Sequence, residues 1–565
     1  MMLWIALGLA ALSGIGDEEG FLDVFEPGRS ALEARLEPHV RALNDGNAQR
    51  RRAAVDAVID WGTFDELRRS LVRKLDEKGA AQVRRSLLFM LAGLRDPESL
   101  ELLNRNLGKW SDEEEVVVAL GLGLGSTLTP EARKTLEALA LSENRPRSQA
   151  AVAAVLALGR ARSAESVEVL RKIERLARPD AWEMRRQAAA LFSRALIGDQ
   201  SAGVTAIAIL SGKHGDQTSE RILRLGAWLT LAHLGEGRQM PSGLDHSFLD
   251  VARSSGALEE QMFAALALGA HQPKDKSLKY LESLYADAKS EVLLTVLPVL
   301  ERIEPTLEPG ESGAKAWINR FEKLTKMPEE RAPQIAATAA RVLGQDAVPY
   351  LMRLLQAKQP DLQSAALLGL ARLESAEGKD TALAVVRNDR SNPRLIRSAW
   401  LYLAVLARTR QLEEMPATPM PDPRVEDLKD AARAYRFAQR VPKGQIAVKR
   451  LNWEIAEAEA MYAPSWELQR HRLDNRFGLW CLFGVQDPRL IKTSVVGQEP
   501  VPTAGQGAEK NDGDNTGGSG NSGGSGGGYN ASGSTPKTSR LQSKSTLQED
   551  LEAWFLVSKR PYFEN

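Results

Sequence analysis

The chain has 565 residues, 43% of them hydrophobic and 26% charged, the balance of a folded protein with several domains or one long array. Lys+Arg and Asp+Glu both number 74, and a formal net charge of zero argues against a protein that lives on phosphate backbones. The one cysteine, Cys481, permits no intrachain disulfide, so packing must supply the stability.

Residues 1–16, MMLWIALGLAALSGIG, read as a secretory signal peptide. The apolar run is too short for a comfortable transmembrane helix, and the small residues after it place cleavage at Ser13 to Gly16. No Lys or Arg precedes the run, and a buried N-terminal helix is the alternative. A working signal implies a periplasmic or extracellular protein; without it the protein is cytoplasmic. Acidic residues follow at Asp17, Glu18, Glu19, Asp23 and Glu26. A basic stretch comes next: Arg50, Arg51, Arg52, Arg68, Arg69, Arg73, Lys74, Arg84 and Arg85. It is the candidate basic surface and reads as a solvated face. To bind nucleic acid it would have to line a groove beside aromatic residues, and Trp61 is the one tryptophan placed for that.

Between residues 17 and 412 one pattern recurs. AAVAAVLALG, at 150–159, runs ten residues without a polar side chain. A short polar turn follows, then an amphipathic helix with Val167, Leu170 and Ile173 at helical spacing. The same order appears in VRRSLLFMLAGLRDPESLELL (83–103), VVVALGLGLGSTLTPEARKTLEALA (116–140), EEQMFAALALGAHQPKDKSLKYLESL (259–284) and SAALLGLARLESAEGKDTALAVV (364–386). Gly62, Gly93, Gly125, Gly159, Gly198, Gly235 and Gly269 close the apolar helices at intervals of roughly 31 to 39 residues, where a left-handed cap is expected. Two helices per unit at that period predict an all-α solenoid of roughly ten or eleven helix pairs. A helix that is apolar all round can be buried only between neighbouring repeats.

The order Ala-x-x-Ala-Leu/Val-x-x-Leu-Gly, then an Asp-Pro or Ser-Ala-Glu turn and a Leu-rich helix, resembles the HEAT-repeat family over about residues 47–410. The likeness is nearest to the short bacterial HEAT-like repeats first associated with phycobilisome lyases. It implies a right-handed α-solenoid with a concave binding surface. Some HEAT-like proteins are lyases on tetrapyrrole-bearing proteins and others are DNA-base glycosylases. The motif residues are packing residues, so the resemblance brings no catalytic residue to this chain.

MPATPMPDPR, within a Pro-rich break at 413–424, must end the helical run. Longer, more polar helices follow over 425–500. Trp453, Trp466 and Trp480 point to a packed helical C-terminal module that caps the last repeat. In it Cys481 lies within GLWCLFG, the setting of an inert buried thiol. Residues 501–542 are a Gly/Ser/Asn linker whose composition cannot build a core. Residues 543–565 form an amphipathic tail helix, with Ser545 and Gln548 in capping-box spacing, Lys559 and Arg560 near its end and Pro561 to stop it. Leu547, Leu551, Trp554 and Phe555 share one face and are the candidate partner-binding residues. Three occupants of that face stay open: the chain's own solenoid, another protein, or a second copy exchanging tails.

The six histidines, His39, His214, His233, His246, His271 and His471, show no metal-binding spacing. GLGLGS at 121–126 imitates a phosphate loop but lies in or just after a helical run with no strand before it. The reading that results is a noncatalytic protein–protein interaction scaffold, with no cofactor, no metal, no nucleic acid and no transmembrane span. Its protein partner is not named by the sequence. The alternative is a HEAT-like enzyme or nucleic-acid-binding protein acting through its concave face.

Overall fold

A computed structural model describes residues 29–484, apart from several inter-helix stretches, and residues 546–555. The longest stretches left out are 236–257 and 303–327 except 318–319. The expected signal peptide and Gly/Ser/Asn linker lie outside the described residues, as do Gly62, Gly125, Ser545 and Lys559 to Pro561.

Among the described residues the regular structure is helical throughout. In chain order it runs α1 (Arg29–Ala42), α2 (Ala48–Ile59), α3 (Asp65–Asp76), α4 (Ala81–Leu94), α5 (Pro97–Asn106), α6 (Asp112–Leu122), α7 (Pro130–Ala140) and α8 (Ser148–Arg160). It continues α9 (Val167–Glu174), α10 (Ala181–Ile197), α11 (Ser201–Ser211), α12 (Ser219–Leu234), α13 (Leu258–Ala270), α14 (Asp275–Asp287), α15 (Ser290–Glu301) and α16 (Pro328–Leu343). The repeats end with α17 (Val348–Leu355), α18 (Pro360–Arg372), α19 (Lys379–Arg387) and α20 (Pro393–Arg408). Helices α2, α4, α6, α8, α10, α12, α13, α15, α16, α18 and α20 stack one on the next as an inner row. The others, such as α3, α7, α9, α17 and α19, pack against that row from outside. This is an all-α solenoid of stacked helices in two layers.

Side-chain pattern explains the two layers. In α8 every residue from Ala150 to Gly159 is buried, because α6 and α10 flank it and α7 backs it. In α9 only Leu170 and Ile173 are buried, while Glu168 and Lys172 face water. Full burial of each Leu or Val of the inner row stabilises by about 1.5–3 kcal/mol. Polar residues start the helices where the sequence has an X-Pro step. Asp96 accepts from the Ser99 amide at 2.9 Å with Pro97 in the first turn, and Asn392 accepts from the Arg394 amide at 2.9 Å with Pro393 beside it.

The closing glycines act differently from expectation. Gly93, Gly159 and Gly269 remain inside their helices, as does Gly121 four residues before the expected Gly125, and these mark points of close approach between successive inner helices. A methyl group at Gly159 would lie 2.5 Å from Ser193 Cβ and 2.6 Å from Ser193 Cα. Gly198 is left-handed, but after α4 and α8 that conformation falls to Arg95 and Arg162. Interhelix contact, rather than cap geometry, sets most of these positions.

The C-terminal helices depart from a simple cap. Helix α21 (Lys429–Arg440) stacks on α20 and closes the row. Helices α22 (Val448–Glu459), α23 (Trp466–Phe483) and α24 (Thr546–Phe555) then run back along the inner row. Helix α22 packs on α18 and α20, α23 on α8, α10, α12 and α15, and α24 on α2, α4 and α23. The inner helices are apolar on the side away from the outer layer as well, and that side needs cover as much as the last repeat does.

Candidate functional site

The inner face of the solenoid is the candidate site, and the chain's own C-terminal segment occupies it at three stations. At the first, Glu459 at the end of α22 is buried between two inner-row arginines. Arg372 donates to it at 3.0 and 2.5 Å and Arg341 at 3.4 Å. Arg341 also donates to Glu301 at 2.7 Å and to the Ala463 carbonyl at 3.1 Å. Burial pushes the Glu301 carboxyl up to about 7, against the pull of Arg341.

At the second station α23 lies across the middle of the row. The guanidinium of Arg302 sits 4.6 Å from the Trp466 ring. The Gln469 amide donates to the Thr295 hydroxyl at 2.8 Å. Asp474 pairs with His233 at 2.9 Å, and Arg160 donates to Asn475 at 3.2 Å. Burial pulls Arg160 down to about 10, with Asp474 acting in the other direction. Phe477 meets Phe192 edge-on at 5.3 Å and Phe263 at 6.2 Å. Gly226 lets that contact form, since a methyl group there would lie 3.0 Å from the Phe477 ring. Cys481 is buried, and burial pushes its thiol well above the usual range, which leaves it a poor nucleophile.

At the third station α24 lies on α2 and α4. The Asp550 carboxylate is fully buried. Arg51 donates to it at 2.6 and 2.8 Å, and Arg85 at 2.9 and 3.3 Å. Arg85 also donates to the Thr546 hydroxyl at 3.0 Å and to Glu113 at 2.5 Å. Arg52 donates to the Ala553 carbonyl at 2.5 Å, in the last turn of α24. The Trp554 ring stacks on Phe89, with centroids 4.3 Å apart and planes 7° apart. Leu547 and Leu551 are buried beside it.

The predicted tail residues therefore meet here: Leu547, Leu551 and Trp554 all face the solenoid of their own chain, while the Phe555 side chain lies outside the described residues. The basic stretch does not form one solvated face. Arg51, Arg52 and Arg85 are buried under the tail. Arg68 joins α3 to α5 through Asp65, Asp96 and Glu98, Arg73 pairs with Glu33, and Arg84 donates to Glu114 at 2.6 Å. Only Arg50 and Arg69 keep largely exposed side chains. The reason is that inner-row helices begin with charged residues that must find counter-charges once the next helix covers them. Trp61 lies just beyond α2, partly buried, with Arg35 over its ring at 4.4 Å and His39 edge-on at 5.3 Å. Asp550 was missed in the sequence. Its one signal is position, since it falls a turn before Trp554, beside the apolar stripe of the tail.

Among the described residues no group of three or more His, Cys, Asp and Glu side chains could hold a metal ion, and no helix is long and apolar enough to cross a membrane. No family model matches the chain, and no curated protein matches it. Among solved structures it is similar to a crystal structure of a Kap121p mutant, at 14% identity and a TM-score of 0.27, over 75% of this chain and 45% of that one. The chain thus spans less than half the length of that protein. The helix order and packing above carry the fold assignment, not this match.

Proposed function

We propose that the protein is a noncatalytic protein-interaction scaffold whose inner groove recognises helices. One observation carries the reading. The groove holds α22, α23 and α24 through specific polar partners: Glu459 with Arg341 and Arg372, Asp474 with His233, and Asp550 with Arg51 and Arg85. A surface that selects helices of its own chain by side-chain charge has the chemistry to select helices of another protein. Three arginines of the basic stretch, Arg51, Arg52 and Arg85, are turned to Asp550 and a helix carbonyl.

The repeats are of the short bacterial HEAT-like type, and the protein is exported with cleavage after Ser13 to Gly16. The intact mass of the protein from its native host tests the export. Cross-linking mass spectrometry in native extract tests the scaffold, by reading which helices a partner touches. The reading expects partner links on inner-row helices or on residues 448–565. A protein that stays solitary in native extract contradicts it.

A further inference from the structure

We propose that the face formed by α2 and α4 is a binding site for a helix of a partner protein that presents a carboxylate and, four residues later, a tryptophan. Helix α24 is the internal stand-in for that ligand. This rests on the scaffold reading and names the chemistry of its partner.

The charges of the face and of the helix are complementary. Three buried guanidiniums, those of Arg51, Arg52 and Arg85, converge on one ten-residue helix. Two of them share the Asp550 carboxylate and the third takes the Ala553 carbonyl near the helix end. Cations suit the C-terminal end of a helix, so Arg52 reads helix polarity while Arg51 and Arg85 read the acid. The Phe89 ring beside them accepts a flat aromatic group at stacking distance. Together these fix a spacing, Asp550 to Trp554, and a direction.

Energetics favour a folded partner helix over the tail. A ten-residue helix is marginal in water, so α24 must fold as it docks, and ordering it offsets much of the interaction. About 60 residues of sequence, including the Gly/Ser/Asn tract, separate α24 from α23. A partner helix that is already folded avoids the ordering cost and displaces the tail.

The test uses the full chain with a protease site placed in residues 503–540 and cut after folding. The probe is a fluorescent synthetic peptide of residues 543–565, read by anisotropy, alongside helical peptides with unrelated surfaces that carry Asp and Trp at i,i+4 or at i,i+2. The cut chain should bind the 543–565 probe at least tenfold more tightly than the uncut chain does. Asp550→Asn or Trp554→Ala in the probe should weaken binding at least 100-fold. Unrelated helices should compete only with the i,i+4 pair.

A cut chain that stays folded by circular dichroism yet never exchanges its tail overturns the proposal, as does an Asn probe that binds like the original. Dimers of uncut chains formed by tail exchange at micromolar concentration would assign the site to a second copy and overturn it too. The scaffold reading fails separately, on a protein that stays solitary in native extract.

Discussion

Replacing Asp550 with Asn removes one charge and almost no volume. In the wild-type protein the buried carboxylate takes four hydrogen bonds, two from Arg51 and two from Arg85. An Asn side chain offers one neutral oxygen to two guanidiniums and turns an amide group toward one of them. Removing one partner of a buried ion pair costs about 3–5 kcal/mol, because the remaining charge loses its compensation. The apolar side of the ledger is small. Leu547, Leu551 and Trp554 contribute about 1.5–3 kcal/mol each, less the cost of ordering a ten-residue helix. A loss of that size shifts the docked-to-free ratio of α24 by a factor of about 100 or more. Hydrogen exchange with mass spectrometry reads it directly. Amides of residues 546–555 should lose their protection, while those of 150–159 in α8 keep theirs. Retained protection over 546–555, within tenfold of wild type, would refute the assignment of Asp550 as the anchor. Joint loss of protection in α8 would show that α24 belongs to the cooperative core.

Leu551→Asp and Trp554→Ala should each leave the solenoid folded and abolish tail docking, seen as rapid proteolysis near residue 550 with unchanged helical circular dichroism. Gly159→Ala should destabilise the whole array by about 1–3 kcal/mol in urea, since the added methyl meets Ser193 at its backbone Cα as well as at Cβ and Oγ, so moving the hydroxyl alone does not make room. Asp199 should contribute an acid-sensitive increment. Burial alone would raise its pKa, but the Ser201 hydroxyl and Arg194 outweigh it and lower the value from 3.8 to about 2. A carboxylate depressed in the folded state adds stability above the unfolded value, and that stability disappears as pH falls from about 4 through about 2. Urea midpoints across that window should fall more steeply for wild type than for Asp199→Asn.

Local chemistry was legible in the sequence wherever one segment decides its own structure. The apolar run at 150–159 could only be an inner helix, and Asp96-Pro97 could only start one. Reasoning from single segments failed where two distant segments decide together. Gly159 looks like a cap in sequence because the partner that needs its missing side chain, Ser193, lies in the next repeat. Arg51 and Arg85 look solvated because their counter-charge is 499 and 465 residues away. The C-terminal helices look like an end cap because repeat periodicity gives the apolar faces of the inner row but not the segment that covers them.

The central claim is that one groove serves both the chain's own tail and a partner helix. Cross-linking mass spectrometry on a mixture of light- and heavy-isotope full-length protein, free and in partner-bound form from native extract, tests it most directly. Links between residues 543–565 and residues 48–94 should join segments of a single chain in the free protein, and links from the partner to 48–94 should replace them in the complex. Tail links that persist at full strength beside a bound partner would contradict the account.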